Sequence, residues 1–136
     1  MSANLTTAIV AFTLDLYKQL LSDCSSETKN IVVSTFSIAA ALSMTLAGAK
    51  GNTPAEITNV LHTKDDMIHA HFADFFVNVA TYAPDVTLEV ANRMYTKQTF
   101  KVLESYLTML KKFYNSTVVP VDYKNHAEEG SGGIEW

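Results

Sequence analysis

The segment Phe36–Ala47 constrains this chain most. Ile38, Ala39, Ala40, Ala41, Leu42, Met44 and Leu46 recur without a polar stripe, and Ser34 stands where it can cap a helix. A helix apolar on every face has to be enclosed on every face. The chain has 136 residues, room for one domain and little material for such an enclosure. The sequence therefore predicts a buried central helix whose cover is incomplete within these residues. The charge-free run Asn30–Ala49 resembles a membrane span in length, but Ser34, Thr35, Ser37, Ser43 and Thr45 interrupt it. It reads as core, with no membrane partner.

The other elements follow from periodicity. Ile9, Phe12, Leu16 and Leu20 predict a first helix over residues 3–22. Ile31, Val32 and Val33 predict a short strand. Thr53-Pro54-Ala55-Glu56 has the pattern of a capping box with Pro at the first helical position, which predicts a helix ending near His62. Asp65 and Asp66 favour a further helix start, with Ile68, Phe72, Phe75, Phe76 and Val79 on one face and Pro84 as the stop. Val86–Tyr95 alternates as a strand. Leu103, Tyr106, Leu107, Leu110 and Phe113 predict a helix over about 100–115, closed by Lys111 and Lys112. Val118–Tyr123 predicts an edge strand, because Pro120 cannot donate to a ladder.

Net charge is −4 with a sequence pI near 5.4, so no basic footprint for nucleic acid is present. The 48% hydrophobic content belongs to a folding chain. The one cysteine, Cys24, cannot form an intrachain disulfide and sits in a polar connector as a free thiol. Four histidines raise the question of a metal, but His69 and His71 are two apart and diverge on a helix, so they read as a solvated helix flank. No metal-ligand spacing, nucleophile–base pair or phosphate loop is seen, so neither cofactor nor enzyme activity is expected. Asn4-Leu5-Thr6 and Asn115-Ser116-Thr117 are N-glycosylation sequons, patterns that also arise by chance.

Four segments carry a resemblance to a known family. Asn30-Ile-Val-Val-Ser-Thr-Phe-Ser-Ile-Ala-Ala-Ala-Leu-Ser-Met44, continuing through Gly48-Ala-Lys-Gly-Asn-Thr53, resembles the serpin signature. Ala91-Asn-Arg-Met-Tyr95 resembles that family's Ala-Asn-aromatic strand, and Phe12–Leu20 resembles its first helix. Val121-Asp-Tyr123 is similar to the end of its first A-sheet strand. The resemblance implies an α+β fold: the amino-terminal part of a serpin, with helices A to E, strands 6B, 2A and 1A, and incomplete sheets. It covers residues 1–128, and residues 129–136 form a divergent Gly-rich tail.

The resemblance implies a serine-type endopeptidase inhibitor that acts by inserting a cleaved reactive-centre loop into a sheet, with a serine protease as partner. No residue here corresponds to that loop, so the 136 residues are expected to be a truncated form and non-inhibitory alone. The alternative is a non-inhibitory piece whose exposed core faces bind a complementary serpin chain or a second copy. Ser34, Ser37 and Asn92 match the family's shutter, a hydrogen-bond network that gates strand insertion. From the pattern alone Asn92 reads as a satisfied core amide, or as exposed after a register slip. The family usually has Pro where this chain has Thr35, a change that restores a backbone N–H and frees φ. The basic cluster with which some serpins bind heparin on helix D has no counterpart among Lys64, Asp65, Asp66 and Asp74, so no heparin site is expected. No signal peptide is visible, which points to the cytoplasm, whereas the sequons and the family's frequent secretion point outside.

Overall fold

The computed structural model describes residues 3–23, 30–64, 66–82, 90 and 92–122. In chain order the elements are α1 (Ala3–Asp23), α2 (Thr35–Gly48), α3 (Thr53–Val60), α4 (Ile68–Tyr82), β1 (Arg93–Lys97), α5 (Glu104–Tyr114) and β2 (Thr117–Val121). This is the mixed helix-and-strand architecture read from the sequence. The features placed on Cys24, Asp65, Pro84, residues 86–89, Ala91, Tyr123 and the tail 129–136 lie outside the described residues.

Helix α2 is the hub. It packs against α1, α3, α4 and α5, and it buries Ala39, Ala40, Ser43 and Met44. Small residues on that face let the neighbours come close. The core joins Leu5 and Phe12 of α1, Ile68 and Phe72 of α4, and Leu110 and Tyr114 of α5 around them. The enclosure is incomplete, as its apolar pattern predicts: Ala41 and Thr45 are exposed and Leu42 and Leu46 half-buried.

β1 and β2 run parallel, with Arg93 opposite Thr117 and Lys97 opposite Val121, and α5 makes the crossover between them. Met94 and Val118 are paired in register, and both pack on the core. The sequence predicted this strand over 86–95, of which residues 86–89 and 91 lie outside the described residues. Residues acquire ladder partners only where β2 can face them, and β2 starts at Thr117, after a left-handed turn at Asn115. Among the described residues the segment paired with β2 is 93–97.

Other expectations need correction. Ile31–Val33 belongs to no sheet among the described residues; Val32 is almost fully exposed, and a strand without a partner is only extended chain. The Thr53 capping box does not form. Asn52 already has helical φ and ψ, takes the cap position and makes no side-chain cap bond, so Thr53 lies inside the helix. The last helix begins at Glu104, and Leu103 and Phe100 are each 68% exposed, off the buried face.

Candidate functional site

Ser34 and Ser37 sit together at the start of α2. Ser34 has an extended backbone (φ −92, ψ 96), and its Oγ accepts from the Ser37 backbone N–H at 3.3 Å. The two hydroxyl oxygens are 2.9 Å apart. Both residues are exposed. Between them, the Thr35 hydroxyl is hydrogen-bonded to that of Thr13 at 2.8 Å, tying α1 to the first turn of α2. Proline at this position could not make that link.

Asn92 immediately precedes β1 and is half-buried. Its Nδ2 donates to the backbone carbonyl of Tyr114 at 3.4 Å. Among the described residues no hydrogen bond joins Asn92 to Ser34 or Ser37. The three candidates thus form two groups: a serine pair at the start of α2, and an amide bound to the end of α5.

Tyr114 is the residue that sequence reasoning missed. It is 1% exposed, and its ring lies 5.8 Å from that of Phe72 and 6.3 Å from that of Phe76. Its hydroxyl bonds His69 Nδ1 at 2.5 Å. Burial pushes the phenol well above its ordinary value; the nearby Ser43 hydroxyl offsets part of that rise, and the Tyr106 phenol adds to it. Ser43 Oγ is itself fully buried and closes no hydrogen bond of good geometry. Burial also lowers the His69 imidazole from its ordinary value. A phenol that keeps its proton beside a neutral imidazole donates to it, so His69 accepts at Nδ1 and carries its own proton on Nε2. His69 is therefore not the solvated flank that its spacing suggested. The signal for Tyr114 was present, because Tyr106, Leu110 and Tyr114 repeat every four residues on one helix face.

An open groove of about 610 Å³ lies between the end of α2, β1 and the start of α5, lined by Gly48, Thr45, Met94, Thr96, Lys101 and Tyr106 among others. The Tyr106 hydroxyl donates to the Met44 carbonyl at 2.8 Å and fixes one wall. Burial raises the Tyr106 phenol as well.

Both sequon asparagines are exposed. Asn4 lies in the first turn of α1. Asn115 takes a left-handed conformation (φ 46, ψ 29) at the end of α5, and its Oδ1 accepts from Lys111 Nζ at 2.8 Å. Among the described residues no group of three or more His, Cys, Asp or Glu could hold a metal, and no helix is long and apolar enough to cross a membrane.

Residues 7–134 match the family model described as serpin (serine protease inhibitor). The chain is 50% identical over 128 residues to Ipis-1 of Ixodes persulcatus, covering 94% of this chain and 34% of that protein. It is 36% identical over 135 residues to leukocyte elastase inhibitor A of Mus musculus, covering 98% and 35%. Among solved structures it resembles ovalbumin from emu (Dromaius novaehollandiae) with a TM-score of 0.81 at 25% identity, covering 94% of this chain and 36% of that one. A structure described as a tumour suppressing serpin gives 0.80 at 28% identity, covering 96% and 36%. The chain thus spans about a third of the length of the curated relatives it matches.

Proposed function

Since the chain belongs to the serpin family, we propose that these residues supply the scaffold and part of the gate of a serine protease inhibitor, and that the 136-residue chain alone does not inhibit. The observation that carries this reading is the parallel β1–β2 pair, packed on α5 and on the core through Met94 and Val118, with Asn92 at its start and the Ser34–Ser37 pair at the start of α2. Inhibition by loop insertion needs a cleavable bait, an acyl bond to the protease, and a sheet that parts to admit a strand. These residues contain part of a sheet and no counterpart of the bait. Ser34, Ser37 and Asn92 act as shutter groups, with the Thr35–Thr13 bond stiffening the start of α2 where the family usually has proline. Asn4 and Asn115 are glycan acceptors in a secretory setting.

The test is incubation with trypsin-like, chymotrypsin-like and elastase-like serine proteases, followed by denaturing electrophoresis. The expected result is digestion without a denaturant-resistant complex. A covalent protease adduct of this chain overturns the reading.

One observation favours a second role. Val10, Leu14, Tyr17 and Leu21 make an exposed stripe on α1, opposite its buried Leu5, Ala8 and Phe12. Such a face suits a complementary serpin chain. Co-purification with a polypeptide carrying the other two-thirds of Ipis-1 tests this role, and its failure removes it.

A further inference from the structure

We propose that the hydrogen bond between His69 and Tyr114 is a pH-sensitive latch, which clamps α4 to α5 while His69 is neutral and, through the Tyr114 backbone, sets the seat of Asn92. The latch itself stands on geometry; only its meaning for Asn92 rests on the shutter reading above.

Tyr114 connects three parts of the molecule. Its hydroxyl reaches His69 on α4, its carbonyl receives the Asn92 amide at the start of β1, and its ring packs between Phe72 and Phe76. It is also the last residue of α5, so displacing it moves both the helix end and the turn into β2. The same face is also joined by ring packing, such as His69 on Phe113 at 6.2 Å.

The chemistry has a direction. Neutral His69 accepts the Tyr114 proton at Nδ1. Protonated His69 carries hydrogen on both nitrogens and can only donate, so the phenol has to turn its own proton away. The neighbour able to receive it is Ser43 Oγ, buried on α2 without a bond of its own. Even when the bond reverses this way, an imidazolium stays in a half-buried, aromatic setting that disfavours charge. Separating α4 from α5 gives that charge access to water.

Among the described residues no carboxylate is hydrogen-bonded or ion-paired to His69, and Asp66, three residues before it, is exposed. Helix α2 contains none. On α5 the phenol of Tyr114 faces His69, and the Lys112 ammonium lies 4.8 Å over Phe113, a like charge to an imidazolium. On α1, Asp15 is engaged by His62 at 2.7 Å and by Lys18 at 3.7 Å, and Tyr17 is exposed. On α4 itself Asp74 is exposed and takes the Asn78 amide, and His71 lies two residues on, diverging from His69.

The test is amide hydrogen exchange of the full chain followed by mass spectrometry, near pH 7.5 and near pH 5.5, corrected for intrinsic rates. These conditions bracket the ordinary histidine value of 6.5. The expected result is a fall in protection of about threefold or more in α4, α5 and β1 at the lower pH. In His69→Gln, whose amide can accept from Tyr114 without titrating, protection near pH 7.5 is kept and the fall disappears. A fall that persists in His69→Gln, or no fall in the parent chain, overturns the latch. Loosening of α4 and α5 without β1 overturns the link to Asn92 and leaves the latch. If His69→Gln is unprotected at both pH values, the NMR titration of His69 in the parent chain decides. A midpoint below 6.5 that moves the Tyr114 signals supports the latch, and one at or above 6.5 overturns it.

Discussion

Single residues set the closest approaches in this molecule. A Cβ added at Gly48 would sit 2.9 Å from Cε2 and 3.2 Å from Cζ of Tyr106. That ring cannot swing freely, because its hydroxyl is bound to the Met44 carbonyl. Alanine normally stabilises a helix over glycine by about 1 kcal/mol in its interior, and less at a last residue such as this one. Overpacking a fixed neighbour costs about 1–3 kcal/mol, so the steric effect wins. Gly48→Ala should lower the urea midpoint of helical ellipticity; an unchanged or raised midpoint would show that the ring yields. Tyr106→Phe should cost about 1 kcal/mol through the lost hydrogen bond alone. Neither contact was legible in the sequence. Gly48 reads as punctuation after an apolar run, and nothing in a linear pattern says that a residue 58 positions later lies on top of it. The helical repeat shows the buried face of Tyr114, but not the partner of its hydroxyl, His69, 45 residues away.

Elements were more readable, because caps and periods are local. Ser34 was predicted as the cap of the central helix, and the structure has it there, accepting from the Ser37 N–H. Ser34→Ala should destabilise α2 by about 0.5–2 kcal/mol. Ser37→Ala keeps the backbone donor and removes only an exposed hydroxyl contact, so it should cost at most about 0.5 kcal/mol. Amide exchange at Ser37 separates the two, accelerating in the first variant and staying near the parent rate in the second. Equal effects would mean that the hydroxyl pair, not the cap, organises this turn. What misled sequence reasoning was strand character without strand partners. Ile31–Val33 has β-type composition, yet a strand is defined by what lies beside it. Only the stretch facing β2 is paired among the described residues. The Thr53 box failed differently: the chain already turns into helical φ and ψ at Asn52, and the motif's first residue is swallowed by the helix.

At the scale of the whole molecule, the balance between covered and uncovered apolar surface decides how the chain behaves in isolation. Val10, Leu14, Tyr17 and Leu21 stand about half-exposed at helical spacing, and Val32, Val77, Phe100 and Leu103 are more exposed still. Burying one such side chain is worth about 1.5–3 kcal/mol, and a whole domain of this size has only about 5–15 kcal/mol in hand. A few uncovered residues are therefore comparable to the entire margin. The sheet adds to the effect: among the described residues the two strands pair only with each other, and unpaired edges recruit further strands. The 136-residue chain by itself should thus relieve its exposed surface by association. Sedimentation should show a mass that grows with concentration, together with a broad thermal transition. Leu14→Lys combined with Leu21→Lys places charge on the α1 stripe without touching Leu5, Ala8 or Phe12. It should shift the mass toward monomer while helical ellipticity is retained. A parent chain that sediments as a monomer and unfolds in one sharp step would show that the exposed stripe and strand edges are tolerated. A double variant that associates as before would place the contact elsewhere, on the groove beside Gly48 and Tyr106 or on the sheet edge.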